Sequence, residues 1–410
     1  MTLLSRFVRW LADGKTQRTT FWILRRVKPV LIFGDKAIVS RHDDVIEVLT
    51  RNTDFTIEQI NAKKLDALHL HFFLGMDTSP EHDREFQLMQ NIARREDMQV
   101  IRQLIREKSE ECISKISGKG QIELVHDLSL VVPMHFMDKY IGVMDGTVDG
   151  ATMAAWMRSL FHQSFLNLTN DKAVEQRGTA VSLELKKYLE ELISKRKAEI
   201  KSGNNTDDTI LNRLMRLQQI PGNEWITDDV IRRNISGLMI GAVDTTSKCV
   251  VHVIDELLRH PDELVAAVNA AGANDIEKVK QYCWEALRFN PHNQVIERYC
   301  LKDTEIGILR GKARKIKAGT TVFAAIMSAM LDEKVFVNPM QFDLNRKTEY
   351  LHFGYGMHVC YGRYINAVTI PEITAAALRL KNLRRARGFK GMVEYEGAFP
   401  QSMVLEFDNK

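Results

Sequence analysis

Apolar and polar positions follow two different periods along this chain, and the change of period divides it. "PVLIFGDKAIVS" (29–40) carries apolar runs on either side of a Gly-Asp step and predicts two short strands joined by a turn. Downstream the period lengthens. Residues 81–117, 173–201 and 261–289 are rich in Glu, Lys, Arg, Leu and Ala, with few breakers, and predict helices. The polar stretch "KSGNNTDD" (201–208) predicts a loop. Strand-like pieces return at 294–323 and 392–407. The pattern predicts a mainly α fold with a smaller β-rich part. No repeat, low-complexity tract or linker interrupts it, so a single domain over 1–410 is expected.

One segment stands out within the helical pattern. Thr227 is placed to cap a helix whose first turn holds Asp228 and Asp229. The pattern runs to about Arg259, which makes the helix about 30 residues and about 45 Å long. Its middle, "GLMIGAVDTT", is apolar on nearly every side and should be buried. It then presents Asp244, Thr245 and Thr246, and buried polar groups need partners or a purpose. A threonine that bonds back to the preceding turn, with Gly241 nearby, would bend the helix there. The other reading is a buried first half that ends in a solvent-facing Asp-Thr-Thr.

Composition narrows the classes. Hydrophobic residues make up 45% of the chain, enough for a large core. The net charge of +4 is too mild for a nucleic-acid binder driven by bulk charge, and no nucleic-acid partner is expected. No apolar run is long enough to cross a bilayer, so no transmembrane anchor is expected. The opening "MTLLSRFVRWLADGK" has helical apolar spacing with Arg6 and Arg9 between, so it reads as a helix packed on its own core or one lying on a membrane surface. It lacks the pattern of a signal peptide. Cys112, Cys249, Cys283, Cys300 and Cys360 are odd in number and form no CxxC pair, which fits a reducing cytoplasm and no zinc site.

"YLHFGYGMHVCYGR" (350–363) sets Gly354, Gly356 and Gly362 around Cys360. A thiolate ligand needs its charge stabilised, and glycines let backbone N–H groups wrap closely around the sulfur. With no other Cys or His spacing to complete a tetrahedral site, a single cysteine on a flat cofactor remains, that is, haem iron with an axial thiolate.

Here the residues resemble a family. F-G-x-G-x-H-x-C-x-G is the haem-binding signature of the cytochrome P450 family, and Phe353 to Gly362 match every fixed position. "EALR" resembles its E-x-x-R pair, Glu285 and Arg288, with Arg346 of "FDLNR" as third partner. "GAVDTT" resembles the oxygen-activating segment of the long central helix, with Asp244 and Thr245 on its acid-alcohol pair. "MDTSPEHDRE" (76–85) resembles the start of the third helix.

The resemblance implies the cytochrome P450 fold, with haem b between the long central helix and the cysteine loop. Cys360 would ligate the iron, with Phe353, Gly354 and Gly362 around it. His82, Arg84, Arg298 and His358 would contact the haem propionates. Asp244 and Thr245 would deliver and hold protons for the cleavage of O2. The implied reaction is hydroxylation, or O-demethylation where the attacked carbon bears an ether oxygen. Departures mark a divergent member. Ala242 at the haem stands where glycine is usual, Phe86 replaces a common arginine, and "SAMLD" and "INAVT" replace familiar segments.

No flavin or iron–sulfur module is visible, so a ferredoxin with its reductase is the expected electron donor. Arg84, Arg94, Arg95, Arg102, Arg106 and Lys108 form either a dock for it or a solvated basic face. By analogy the pocket draws on 65–75, 158–168, 237–242, 293–297 and 398–402. These windows carry His69, His71, His162, Gln163, Asn167, Asn293, Gln294 and Gln401, polar groups that would orient an oxygenated molecule such as a methylated sugar or hydroxylated natural product. A fatty acid or terpenoid is the rival substrate. A haem protein that binds or senses a ligand without turnover is the rival class.

Overall fold

The computed structural model describes residues 14–167, 170–308 and 310–409. The amphipathic opening up to residue 13 lies outside them. The helix Gly14–Val27 leads into the hairpin Val30–Phe33 and Lys36–Val39, which turns at Gly34, whose φ is +61°. This hairpin seeds a five-stranded sheet closed by segments from far along the chain. Lys36–Val39 pairs in parallel with Thr321–Ala324, which pairs antiparallel with Ile296–Cys300, and Phe55–Thr56 forms the far edge. Because a strand alternates faces, Ile296 and Arg298 share one face and Glu297 takes the other.

Two predicted helical stretches are each split. Residues 81–117 become Pro80–Ile92 and Met98–Ile116, joined by a turn in which Asp97 accepts hydrogen bonds from Tyr140 (2.8 Å) and Arg213. Residues 261–289 become Pro261–Gly272 and Ile276–Phe289. Asn274 there has φ +59°, and Asp275 caps the second helix through Lys278 N. Tertiary hydrogen bonds outweigh local helix propensity at the first break, and left-handed backbone ends the helix at the second.

The central helix begins where Thr227 accepts from Val230 N at 3.2 Å. It runs as Asp228–Ala242 and Asp244–Leu257, with a break at Val243 (φ −93°, ψ −74°). It is long and apolar enough to span a bilayer, with a mean hydropathy of 1.2 over its most apolar window, which corrects the reading that no such segment exists. That window is 78% buried inside the protein, so its apolarity serves the core. The helix Arg363–Leu378, which follows the cysteine, packs against Met98–Ile116, Ile276–Phe289 and the second half of the central helix.

Candidate functional site

The cysteine loop is held by backbone bonds that only this glycine pattern permits. Cys360 N donates to Phe353 O at 2.8 Å, closing the loop across Gly354 and Gly356, whose φ values are +76° and +72°. A Cβ on Gly356 would sit 2.8 Å from Leu49 O, so no side chain fits there. A Cβ on Gly362 would lie 3.8 Å from Cys360 Sγ, which shows how closely the backbone passes the sulfur. Burial pushes the Cys360 thiol pKa up, while the Gly362 N–H and the Arg363 charge pull the other way.

Cys360, Gly362 and Asn366 line a cavity together with Leu238, Gly241, Ala242 and Thr246 of the central helix, and Thr246 donates to Asn366 Oδ1 at 3.1 Å. Beside the cysteine loop, three groups come together from three elements. His82 lies on Pro80–Ile92, stacked on Phe86 at 5.7 Å with Nδ1 2.9 Å from Asp83. Arg298 projects from the sheet, and burial pulls its pKa down to about 10. His358 sits in the cysteine loop, its pKa pushed down to about 3 by burial and then by the Arg298 and His82 charges. Both ring nitrogens of His358 and Arg298 Nε are buried with no hydrogen-bond partner.

Unsatisfied buried donors of this kind are costly unless something accepts from them. A haem fits the residues present: Cys360 would ligate its iron, and Arg298, His358 and His82 would hold its carboxylates. Arg84, by contrast, is exposed, and its guanidinium stacks on Trp225 at 4.3 Å. It stands apart from that cluster because it occupies the solvent side of its helix.

On the central helix, next to the cavity-lining Ala242 and Thr246, Thr245 is half-buried and its hydroxyl donates to Gly241 O, one turn back, beside the break at Val243. Asp244 is buried. Its Oδ1 accepts from Arg158 at 2.8 and 3.1 Å, and its Oδ2 has no partner. Burial raises the Asp244 pKa against the pull of Arg158. The acid is therefore oriented by one oxygen and open at the other.

Glu285 and Arg288 form a bidentate pair at 2.8 and 2.9 Å with both side chains 0% exposed. Arg346 Nε (3.1 Å) and Tyr350 OH (2.9 Å) donate to the same carboxylate. Arg288 goes on to the carbonyls of Pro339 (2.6 Å) and Gln341 (2.9 Å). This network pins residues 339–350 immediately before the cysteine loop.

Several other candidate positions already have partners of their own. His69 is exposed, with its carbonyl accepting from Arg232 at 2.9 Å. The His71 ring bonds Asp66 at 2.9 Å. Gln163 and Asn167 bond each other at 2.7 Å. His162 and Asn293 are half-buried, and Gln401 accepts from Arg158 at 2.6 Å. Of the basic group, Arg102 and Arg106 hold the buried Glu372 at 3.6 and 3.0 Å, and Lys108 bonds Glu111 at 2.9 Å. Arg94 lies 3.9 Å from Asp208, and Arg95 stacks on Tyr364 at 4.1 Å.

Sequence reasoning missed Arg158 and Tyr350. Tyr350 lay inside the quoted cysteine segment, and its closeness to Phe353 was a usable signal. Arg158 offered none, because its partner lies 86 residues away.

Comparison with known proteins agrees with this geometry. The Cytochrome P450 family model matches residues 37–380. The putative cytochrome P450 133B2 of Xylella fastidiosa (strain Temecula1) is 24% identical over 88% of this chain and 89% of its own length. The cyclomarin C epoxidase CymV of Salinispora arenicola is 26% identical over 62% of this chain and 59% of its own length. Among solved structures, cytochrome P450 CYP109Q5 from Chondromyces apiculatus matches 98% of this chain and 97% of its own at a TM-score of 0.79 and 22% identity. P450BioI in complex with hexadec-9Z-enoic acid ligated acyl carrier protein matches 96% and 99% at 0.80 and 19% identity.

Proposed function

We propose, from the premise that the chain belongs to the cytochrome P450 family, that it is a haem b monooxygenase acting on an oxygenated small organic molecule by hydroxylation or O-demethylation. Its electrons would come from a separate ferredoxin and reductase, in a reducing cytoplasm that suits five free cysteines. The observation that carries this reading is a cavity lined by Cys360 and by Gly241, Ala242 and Thr246 of the central helix, the residues on either side of the Asp244–Thr245 step.

When bound, haem supplies an iron centre that activates O2. The protein's own residues do the rest. Cys360 offers a thiolate steadied by the Gly362 N–H. Arg298, His358 and His82 would hold the haem carboxylates. Ala242 and Gly241 line the cavity. Asp244 Oδ2, open while Oδ1 is held by Arg158, picks up and passes a proton. Thr245 has its own proton committed to Gly241 O, so its lone pairs accept. It holds a delivered proton in place and keeps bulk water out of that position.

Of the polar windows, the half-buried His162 and Asn293 support the oxygenated substrate, whereas Gln401 is already bonded to Arg158. An apolar lining that includes Leu74 and Phe136 favours the second reading, a fatty acid or terpenoid hydroxylase. The exposed Arg94 and the Arg95–Tyr364–Arg363 stack, with rings at 4.1 and 4.7 Å, support a docking face for an acidic redox protein.

Thr245→Ala tests the proton role. The variant should bind haem and O2 normally and consume electrons, but product formed per NADH should fall by about tenfold or more, with hydrogen peroxide released instead. The measurement is NADH consumed, peroxide released and product formed with a surrogate ferredoxin and reductase. Undiminished product per NADH would remove Thr245 from the mechanism. Tight ligand binding with no O2-dependent product in the unaltered protein would favour the non-catalytic haem protein.

A further inference from the structure

The stretch "RLKNLRRARGFKGM" (379–392) takes no part in the site described above. Residues 373–393 hold six cations and no carboxylate. Three of the six are spent within the fold. Arg379 donates to Ala271 O at 3.0 Å. Arg384 bonds Asp408 at 2.8 Å, and Arg385 bonds the buried Asp255 of the central helix at 2.7 Å. Arg387 and Lys390 are exposed, and among the described residues no ion pair reaches either of them.

Between these two cations stands Phe389, which is 97% exposed, and Met392 beyond them is 47% exposed. One exposed apolar side chain is ordinary on a protein surface. Here the backbone holds the ring out. Arg385, fixed to Asp255, reaches with Nη1 to Gly391 O at 3.1 Å. Gly388 takes a left-handed φ of +76°, and the turn is closed by Gly391 N to Gly388 O at 3.3 Å and Met392 N to Phe389 O at 2.9 Å. A Cβ on Gly391 would overlap Ala386 O, so the two ends of the loop meet with no room between them. Ala386 N in turn donates to Val404 O at 3.1 Å, which ties the loop to the sheet formed by Arg384–Arg385 and Val404–Glu406. The loop is therefore a folded tip pinned at both ends, with an aromatic ring at its point and a free cation on either side.

We propose that this tip docks on an anionic bilayer surface, with Phe389 and Met392 entering the acyl boundary while Arg387 and Lys390 meet the headgroups. Leaving a phenyl ring in water is unfavourable, and an anionic interface removes that cost and supplies the missing counter-charges together. Apolar side chains with cations beside them are the pattern by which proteins lie on such surfaces. A stable protein partner would need about 800 Å² from this side. The tip offers two apolar side chains and two cations, which suits a weak, reversible contact with lipid instead. Nothing in the inference depends on the haem or on the reaction.

The test is co-sedimentation of the haem-loaded full chain with vesicles of phosphatidylcholine alone, or of phosphatidylcholine and phosphatidylglycerol in equal parts. Binding to the anionic vesicles should be tighter by about tenfold or more, and should weaken as salt is raised. Arg387→Gln and Lys390→Gln should each weaken it about fivefold, and Lys390→Arg should not. Phe389→Ala should weaken it about tenfold at unchanged charge. Phe389→Trp should bind as the unaltered chain does, and its added emission should move to shorter wavelength on anionic vesicles and be quenched by brominated acyl chains. The haem spectrum should be the same in every variant, which shows that each is folded. Equal binding to both vesicle types overturns the proposal. So does anionic binding that survives Phe389→Ala and Lys390→Gln, since it would belong to another surface, such as the segment that holds Arg6 and Arg9. If Phe389→Ala changes the sedimentation of the chain without vesicles, the tip meets a second copy and not a bilayer, and the proposal falls.

Discussion

Cys360→Ala should abolish the red-shifted Soret band that the reduced, carbon-monoxide-bound protein shows under thiolate ligation. Monooxygenase activity should go with it. The effect is large because nothing else can take the sulfur's place. Cys249 and Cys283 are buried, and burial drives both thiols up to about 12, far from the ionised form a ligand needs. Cys360 is also pushed up by burial, but the Gly362 N–H and Arg363 oppose that push, and iron would complete the stabilisation. The alanine variant should still fold, since the loop is held by Cys360 N to Phe353 O at 2.8 Å, a backbone bond that alanine keeps. Haem would then enter only loosely, through Arg298, His358 and His82. Absorbance of the reduced carbon monoxide complex checks this, and a thiolate-type band in Cys360→Ala would end the haem-thiolate reading.

Glu285→Ala should yield little folded, haem-loaded protein. Its carboxylate accepts from Arg288, Arg346, Tyr350 and the Asp343 N–H. Removing it strands the guanidinium of Arg288, which is 0% exposed, and that of Arg346, which is 4% exposed. Breaking one buried pair in this way costs about 3–5 kcal/mol. Total stabilities run to only about 5–15 kcal/mol, so the loss removes a large share of what holds the fold. Glu285→Gln keeps the shape and some hydrogen bonds, and should be intermediate. Soluble yield, haem content and the denaturant midpoint measure the series. A stable, haem-replete Glu285→Ala would mean that the carbonyl bonds of Arg288 to Pro339 and Gln341 suffice to hold the segment before the cysteine loop.

Part of this protein was legible in the sequence alone, and the reason is that those features depend on near neighbours. The strands around Gly34, the Thr227 cap and the polar loop read at 201–208 arise from residues a few positions apart. The cysteine loop is of the same kind, because Gly354 and Gly356 need left-handed backbone whatever surrounds them. Period and turn chemistry carry that information. The division of residues 81–117 at Asp97 was not legible, because the hydrogen bonds that decide it come from Tyr140 and Arg213. Nor was the fate of the polar pocket candidates. His69 and His71 sit in the right window, yet Arg232 and Arg233 capture their carbonyls from the central helix. Arg158 over Asp244 and Arg84 on Trp225 likewise follow from which helices lie side by side. A long side chain chooses among partners by distance in space and by the cost of burial, and neither leaves a period along the chain.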